Sequence, residues 1–394
     1  MITDGFTYIA FLMFVAGFIL FLEKHGKWKL FNIIPTLVWI YFLNMGFCSL
    51  GLYDSATCAA VAGPWQANLL YAMIFAILLR CNIRKMFKLG GRVGAIFLGC
   101  SLTLGIGIVV CYPLFMDSLG GGEKTWGAVA ALYASWVGSN ANMAGVMAPF
   151  PVDGGAFGCT LALDSICFIV WTAILLLVRN YADKWDRATK ADTSQLPAVA
   201  ARVNAVVSRE KPKATASDWI FLIGLSLMIS VISQGVGEIV SADMADMGLG
   251  MFSKGICATL FATILGLICA MTPLRTLPAV EDLSNIYLYA IVSLMASTAP
   301  ISELAAAPMW ILYGFAILAV HTVLMFILSK IFHWDLCMVS TASLANIGGA
   351  GIAPLIATSY DESYAGIGIL MGILGVTIGN FCALGMGAVL QMLI

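Results

Sequence analysis

Apolar runs of about 20 residues, the length that crosses roughly 30 Å of hydrocarbon, follow one another from one end of this chain to the other. We mark twelve: 6–22, 31–51, 62–80, 92–115, 125–150, 155–178, 218–240, 252–274, 284–300, 308–332, 336–358 and 364–393. A soluble protein with this many apolar helices would carry polar stripes along them, and most of these runs have none. With 61% hydrophobic and 10% charged residues, the 394-residue chain cannot cover a water-facing exterior. The expected fold class is therefore an all-α polytopic membrane protein. Phe6 to Leu22 has no basic residue before it and Lys24, Lys27 and Lys29 after it. That polarity is wrong for a cleaved signal peptide and right for an anchor whose N-terminus lies outside. The eleven cysteines fall mostly within apolar runs without CxxC spacing, and read as reduced thiols.

One long polar stretch, residues 179–217, separates a first repeat at 1–178 from a second at 218–394. Its PAVAARVNAVV patch is expected to form a short surface helix. SNANMAG (Ser139 to Gly145) matches SLANIGG (Ser343 to Gly349) at an offset of 204, with four identities. Each string lies in the fifth run of its half and is soon followed by a proline, Pro149 or Pro354. Tyr71-Ala72 and Tyr289-Ala290 match in the third runs. Duplications of this kind characterise secondary transporters.

Charge discriminates between topologies. Twelve complete crossings with the N-terminus outside leave 9 basic residues inside and 11 outside, against the positive-inside rule. If the fifth run of each half enters and leaves on one side, the count becomes 18 inside and 2 outside, with Lys124 and Lys254 the exceptions. Ser, Asn and Gly interrupt both runs, and these continue a helix poorly. Irregular backbone at membrane depth needs protein or a water-filled cavity to satisfy it. The expectation is two inverted repeats, each about five transmembrane helices plus a broken helix or re-entrant hairpin, with the linker inside. A kinked but complete span stays open as the alternative.

The two motifs supply the candidate substrate-binding residues: Ser139, Asn140, Asn142 and Gly145 in one half, Ser343, Asn346, Gly348 and Gly349 in the other. Their hydroxyls and amides offer dipoles, and their glycines let backbone approach closely. Broken helices meeting across a pseudo-two-fold present dipole ends and freed carbonyls to one point. Small residues and Asn also glue membrane helices together, which is the competing explanation. Asp164 is the one carboxylate well inside an apolar run and marks a functional site by its cost there. Asn142, Asp164 and Asn346 form a candidate Na⁺ site. His321 is as well suited to packing or hydrogen bonding as to carrying a proton. Asn44, Asn68 and Asn380 have no evident partners, and Trp65, Trp126 and Trp310 read as interfacial anchors. No P-loop, GxSxG, HExxH or dinucleotide fingerprint occurs, which points away from an enzyme.

On ASWVGSNANMAG (Ala134 to Gly145), LALDS (Leu161 to Ser165), TASLANIGGAGIAP (Thr341 to Pro354) and the Leu69 to Gly90 stretch, the chain resembles the YjcL-like uncharacterised bacterial membrane permeases. That family looks grouped with the cation:proton antiporter/anion transporter superfamily. Ser139, Asn140 and Leu344 stand where the pattern has Gly, Thr and Gln, which bears on substrate identity more than on fold. The resemblance implies broken helices or hairpins moving against a scaffold, a homodimer in the bacterial cytoplasmic (inner) membrane, and coupling to Na⁺ or H⁺. A short acidic peptide is among the cargoes it admits. The expected function is a Na⁺- or H⁺-coupled symporter for a small organic anion or short peptide-like solute. It would have the lipid bilayer around it, no cofactor beyond the coupling ion and no nucleic-acid partner. A cation/proton antiporter is the alternative, although that activity usually needs an acidic pair and only Asp164 is available. A non-transporting scaffold or a membrane-embedded enzyme is the alternative from another class.

Overall fold

The computed structural model describes residues 1–26, 31, 34–79, 81, 90–191, 193–194, 196–207, 213–247 and 252–394. Lys27, Lys29, Arg80, Arg84, Lys85, Lys88, Arg209 and Lys211, used in the charge argument, lie outside the described residues. The first half comprises α1 (Gly5–Gly26), α2 (Thr36–Ser49), α3 (Ser55–Leu79), α4 (Gly91–Leu119), α5 (Gly122–Val137), α6 (Asn140–Gly145) and α7 (Gly154–Val178). The linker holds α8 (Ala182–Thr189) and α9 (Leu196–Val207), the latter on the patch expected to be helical. The second half comprises α10 (Ala216–Asp246), α11 (Lys254–Cys269), α12 (Val280–Ala296), α13 (Ala307–Phe332), α14 (Leu336–Tyr360) and α15 (Ala365–Gln391). Among the described residues, 8 helices are long and apolar enough to cross a membrane. The chain is an all-α polytopic membrane protein.

Local chemistry sets the helix starts. The Asp153 carboxylate accepts from the Ala156 N–H at the head of α7. Thr215 and Asp218 form a reciprocal capping box on α10, and Ser253 and Asp335 cap α11 and α14. Each cap satisfies an amide that the helix leaves without a partner.

The fifth run of each half is broken as its sequence required. In the first half α5 stops at Gly138, and Ser139 caps the six-residue α6. The chain then returns the way it came: a Cβ on Gly127 would stand 2.5 Å from the Pro151 carbonyl oxygen. In the second half α14 leaves the helical conformation at Gly349 (φ 67°, ψ −168°). Its arms, 336–348 and 350–360, fold against each other, because the Ser340 and Tyr360 hydroxyls lie 3.4 Å apart. A straight helix would put residues twenty apart about 30 Å from one another.

The bases of these two broken elements sit at opposite ends of the bundle. At the linker end Arg92 pairs with Asp335 at 3.7 Å, the Leu336 N–H donates to Asp186, and the Arg179 guanidinium lies over the Tyr360 ring. At the other end Gly122 packs on Ile394, Trp310 donates to the Leu119 carbonyl, and Gly154 abuts Ala299. Following the helices between these ends places every described Lys and Arg except Lys124 and Lys254 at the linker end.

Packing divides the helices into two groups. α4 to α7 and α13 to α15 pack chiefly on one another, as do α1, α2, α3, α10, α11 and α12. Trp126 and Trp310 correct the sequence reading: both are buried between helices, so neither turns its ring to the surface as an anchor would, and of the three only Trp65 is exposed. Each covers protein at a hairpin base, Trp126 stacking edge-on against Phe150. All eleven cysteines are free thiols.

Candidate functional site

The tips of the two broken elements meet inside the bundle, where Gly349 rests against the Gly138 carbonyl. Beside this contact lies a cavity of about 480 Å³. Ser139, Asn140, Gly348 and Gly349 line it, and so does Asp164 from α7. Its other wall comes from the second helix group, including Thr36, Asn285 and Tyr289. Glu23 and Glu281, towards the linker end of α1 and α12, also contribute. The cavity thus sits where the two helix groups face each other, with the motif residues at its inner end.

Helix geometry explains why these side chains converge. Ser135 lies one turn before Ser139 on the arm leading to the tip. Its hydroxyl donates to the Asn140 amide oxygen at 3.0 Å and stands 3.4 Å from an Asp164 carboxylate oxygen. The Trp136 indole lies alongside the same carboxylate. Asp164 is 6% exposed, and no Lys, Arg or His is among the described residues lining the cavity.

The remaining motif residues stand behind the cavity wall. The Asn142 amide nitrogen donates to the Val376 carbonyl at 3.1 Å and to Asn380 at 2.8 Å, and its oxygen accepts from Ser139. Asn380 in turn donates to Thr263 on α11 at 3.2 Å. The Asn346 oxygen accepts from Ser101 at 2.7 Å, while its nitrogen donates to the Ala342 and Phe97 carbonyls. Ser343 accepts from the Trp171 indole at 2.9 Å and faces His321 Nε2 at 2.9 Å. Gly145 packs on Ile74. Asn142, Asn346, Ser343 and Gly145 therefore pin the arms of the broken elements to neighbouring helices. Asn142 and Asn346 do not converge with Asp164 on one point, so the three-residue Na⁺ cage expected from sequence is not assembled in this geometry.

His321 belongs to a buried chain. The Thr103 hydroxyl lies 2.7 Å from His321 Nδ1 and the Ser343 hydroxyl 2.9 Å from Nε2. The imidazole thereby ties α4, α13 and α14 together. Sequence reasoning missed Ser135, Thr36, Asn285 and Tyr289. Ser135 was within reach, since it stands inside the ASWVGSNANMAG string that carries the resemblance. Thr36 and Asn285 carry no duplicated motif, and Tyr289 stands only in the two-residue match to Tyr71-Ala72.

The model of the family described as "Protein of unknown function (DUF819)" matches residues 10–393. The chain belongs to this family. Among curated proteins it is similar to the "Uncharacterized membrane protein YjcL" of Bacillus subtilis (strain 168), 24% identical over 323 residues, which cover 79% of each chain. The resemblance read from the motifs is thus a family relationship over nearly the whole chain.

Proposed function

We propose that this DUF819 member is a secondary active transporter, a Na⁺- or H⁺-coupled symporter for a small organic anion or short peptide-like solute. The observation that carries the reading is the meeting of two broken helical elements, entering from opposite ends, at a cavity that also holds the buried carboxylate of Asp164. Membrane protein tolerates irregular backbone and ionisable groups at depth where they serve a solute or ion path. A scaffold has no use for a cavity of this kind.

On this reading the broken elements are re-entrant hairpins and the halves are inverted repeats. The protein lies in the inner membrane with the linker inside and the N-terminus outside, as the distribution of Lys and Arg supports. α4 to α7 and α13 to α15 form the moving part, and the other group forms the scaffold, the face through which a homodimer would associate. The cavity, with Glu23 and Glu281 on its linker side, is the solute site open to the inside. Alternating access carries the tips past the scaffold. The coupling cation acts at the tips of the broken elements.

Uptake by proteoliposomes is the test. A panel of radiolabelled organic acids, amino acids and short peptides is offered with and without an inward Na⁺ or H⁺ gradient. Gradient-dependent accumulation of a solute is expected. Absence of accumulation across the panel, by protein reconstituted in both orientations, counts against transport.

A further inference from the structure

The cavity makes two opposite electrostatic demands within one small volume. The first is Asp164. Its carboxylate is nine-tenths buried and lines the cavity. The Ser135 hydroxyl near it has one hydrogen, and that hydrogen is closer to Asn140, at 3.0 Å against 3.4 Å. The groups beside the carboxylate, the Ser135 hydroxyl and the Trp136 indole, are neutral, so a buried charge here has no opposite charge to offset it. None of the described lining residues is basic.

The second demand comes from the other hairpin. Gly349 breaks α14, so the arm 350–360 starts afresh at the tip, and Ala350, Gly351 and Ile352 line the cavity. The first N–H groups of a helix have no partner within it, and with the helix dipole they favour an anion.

We propose that the cavity takes a zwitterion, a solute carrying both an ammonium group and a carboxylate. The ammonium sits on Asp164 with the Asn140 amide oxygen as second acceptor, and the carboxylate sits at the start of the 350–360 arm. The inference rests on the cavity being the solute site proposed above, and it narrows the substrate class to amino acids and short peptides. A volume of about 480 Å³ falls within the roughly 300–1,000 Å³ of small-molecule sites.

A bare metal cation suits Asp164 less well. Hard cations gather several oxygen ligands. Asn142 and Asn346, which would help complete such a cage, are not among the residues lining the cavity and bond to neighbouring helices instead. An ammonium group needs only the carboxylate and one or two acceptors.

The experiment measures ligand-induced thermal stabilisation of the purified full-length protein in detergent. The probes are the twenty amino acids, a set of dipeptides, and succinate and citrate as acids without an amine. Stabilisation by at least one zwitterion is expected. Its N-acetylated and C-amidated derivatives should each bind about ten- to a hundredfold more weakly. Asp164→Asn should weaken the zwitterion to the level of the N-acetylated form and leave that form unchanged. If the variant does not fold, the two derivatives on the wild type decide alone. Equal stabilisation by an amine-free acid overturns the proposal. So does indifference to N-acetylation, an Asn variant that loses only Na⁺ dependence, or no stabilisation by any zwitterion. Zwitterion binding without uptake would remove the transport reading and keep this one. Uptake of an amine-free acid would do the reverse.

Discussion

Gly349 and Gly138 touch through backbone, the Gly138 carbonyl oxygen lying 3.2 Å from where a Cβ on Gly349 would stand. Gly349 also holds φ at 67° with ψ at −168°, a region essentially reserved for glycine. Gly349→Ala therefore adds backbone strain and a tight contact at the point where the two tips meet. We expect a loss of about 1–3 kcal/mol in stability, read by thermal unfolding in detergent. Gly351→Ala, where a Cβ meets nothing within 4 Å, is the control and should be close to neutral.

The two ends of the first broken element lie together, with Gly127 against Pro151. Single cysteines at Lys124 and Pro151, in a background without the native thiols, should then react with an impermeant reagent from the same side of intact cells. A cysteine at Lys184 on the linker should be protected. Labelling of Lys124 and Pro151 from opposite sides would restore a complete span.

Much of this was readable because membranes impose so few solutions. Run length gave the helix count to within the broken segments, and the SNANMAG and SLANIGG strings located both breaks. Asp164 was identifiable from its cost alone. The direction in which side chains point was not legible. Asn142 and Asn346 look like ligands in a string of letters, yet each donates to the backbone of a neighbouring helix. Which face of a broken helix turns to the cavity depends on the dihedral angles at Gly138 and Gly349, and no periodicity encodes those. The opposing wall escaped for another reason. Thr36 opens α2, Asn285 and Tyr289 lie one turn apart on α12, and only tertiary packing gathers them.

That difference in placement separates two kinds of asparagine. Asn346→Ala removes the acceptor of Ser101 and the donor to Phe97, leaving buried polar groups unpaired at a cost of about 1–3 kcal/mol. Stability should fall while ligand affinity changes little. Asn140 lines the cavity, so Asn140→Ala should weaken ligand binding with a smaller loss of stability. Melting temperature and ligand-induced stabilisation, measured side by side, read both effects. Equal behaviour of the two variants would erase the distinction.

Asp335, at the base of the second hairpin beyond the membrane-spanning segments, gives the protein a predictable response to pH. Burial pushes its pKa up, the Met338 N–H pulls it down, neighbouring Asp186 raises it, and Arg92 at 3.7 Å lowers it. Burial prevails, and one carboxylate oxygen is left without a hydrogen-bond partner. A folded-state pKa above the unfolded value means that the native protein binds the proton more tightly. Stability is then greatest at low pH and falls as pH rises from the ordinary carboxylate range through the folded-state value. Asp335→Asn keeps an oxygen for the Met338 N–H and removes the titrating charge. The variant should lose this part of the pH dependence and gain relative to wild type as pH rises. Arg92→Ala removes a lowering influence and should extend the fall to higher pH. Thermal unfolding from pH 4 to 8 for the three proteins tests this, and parallel curves for wild type and Asp335→Asn would show that the carboxyl does not titrate in that window.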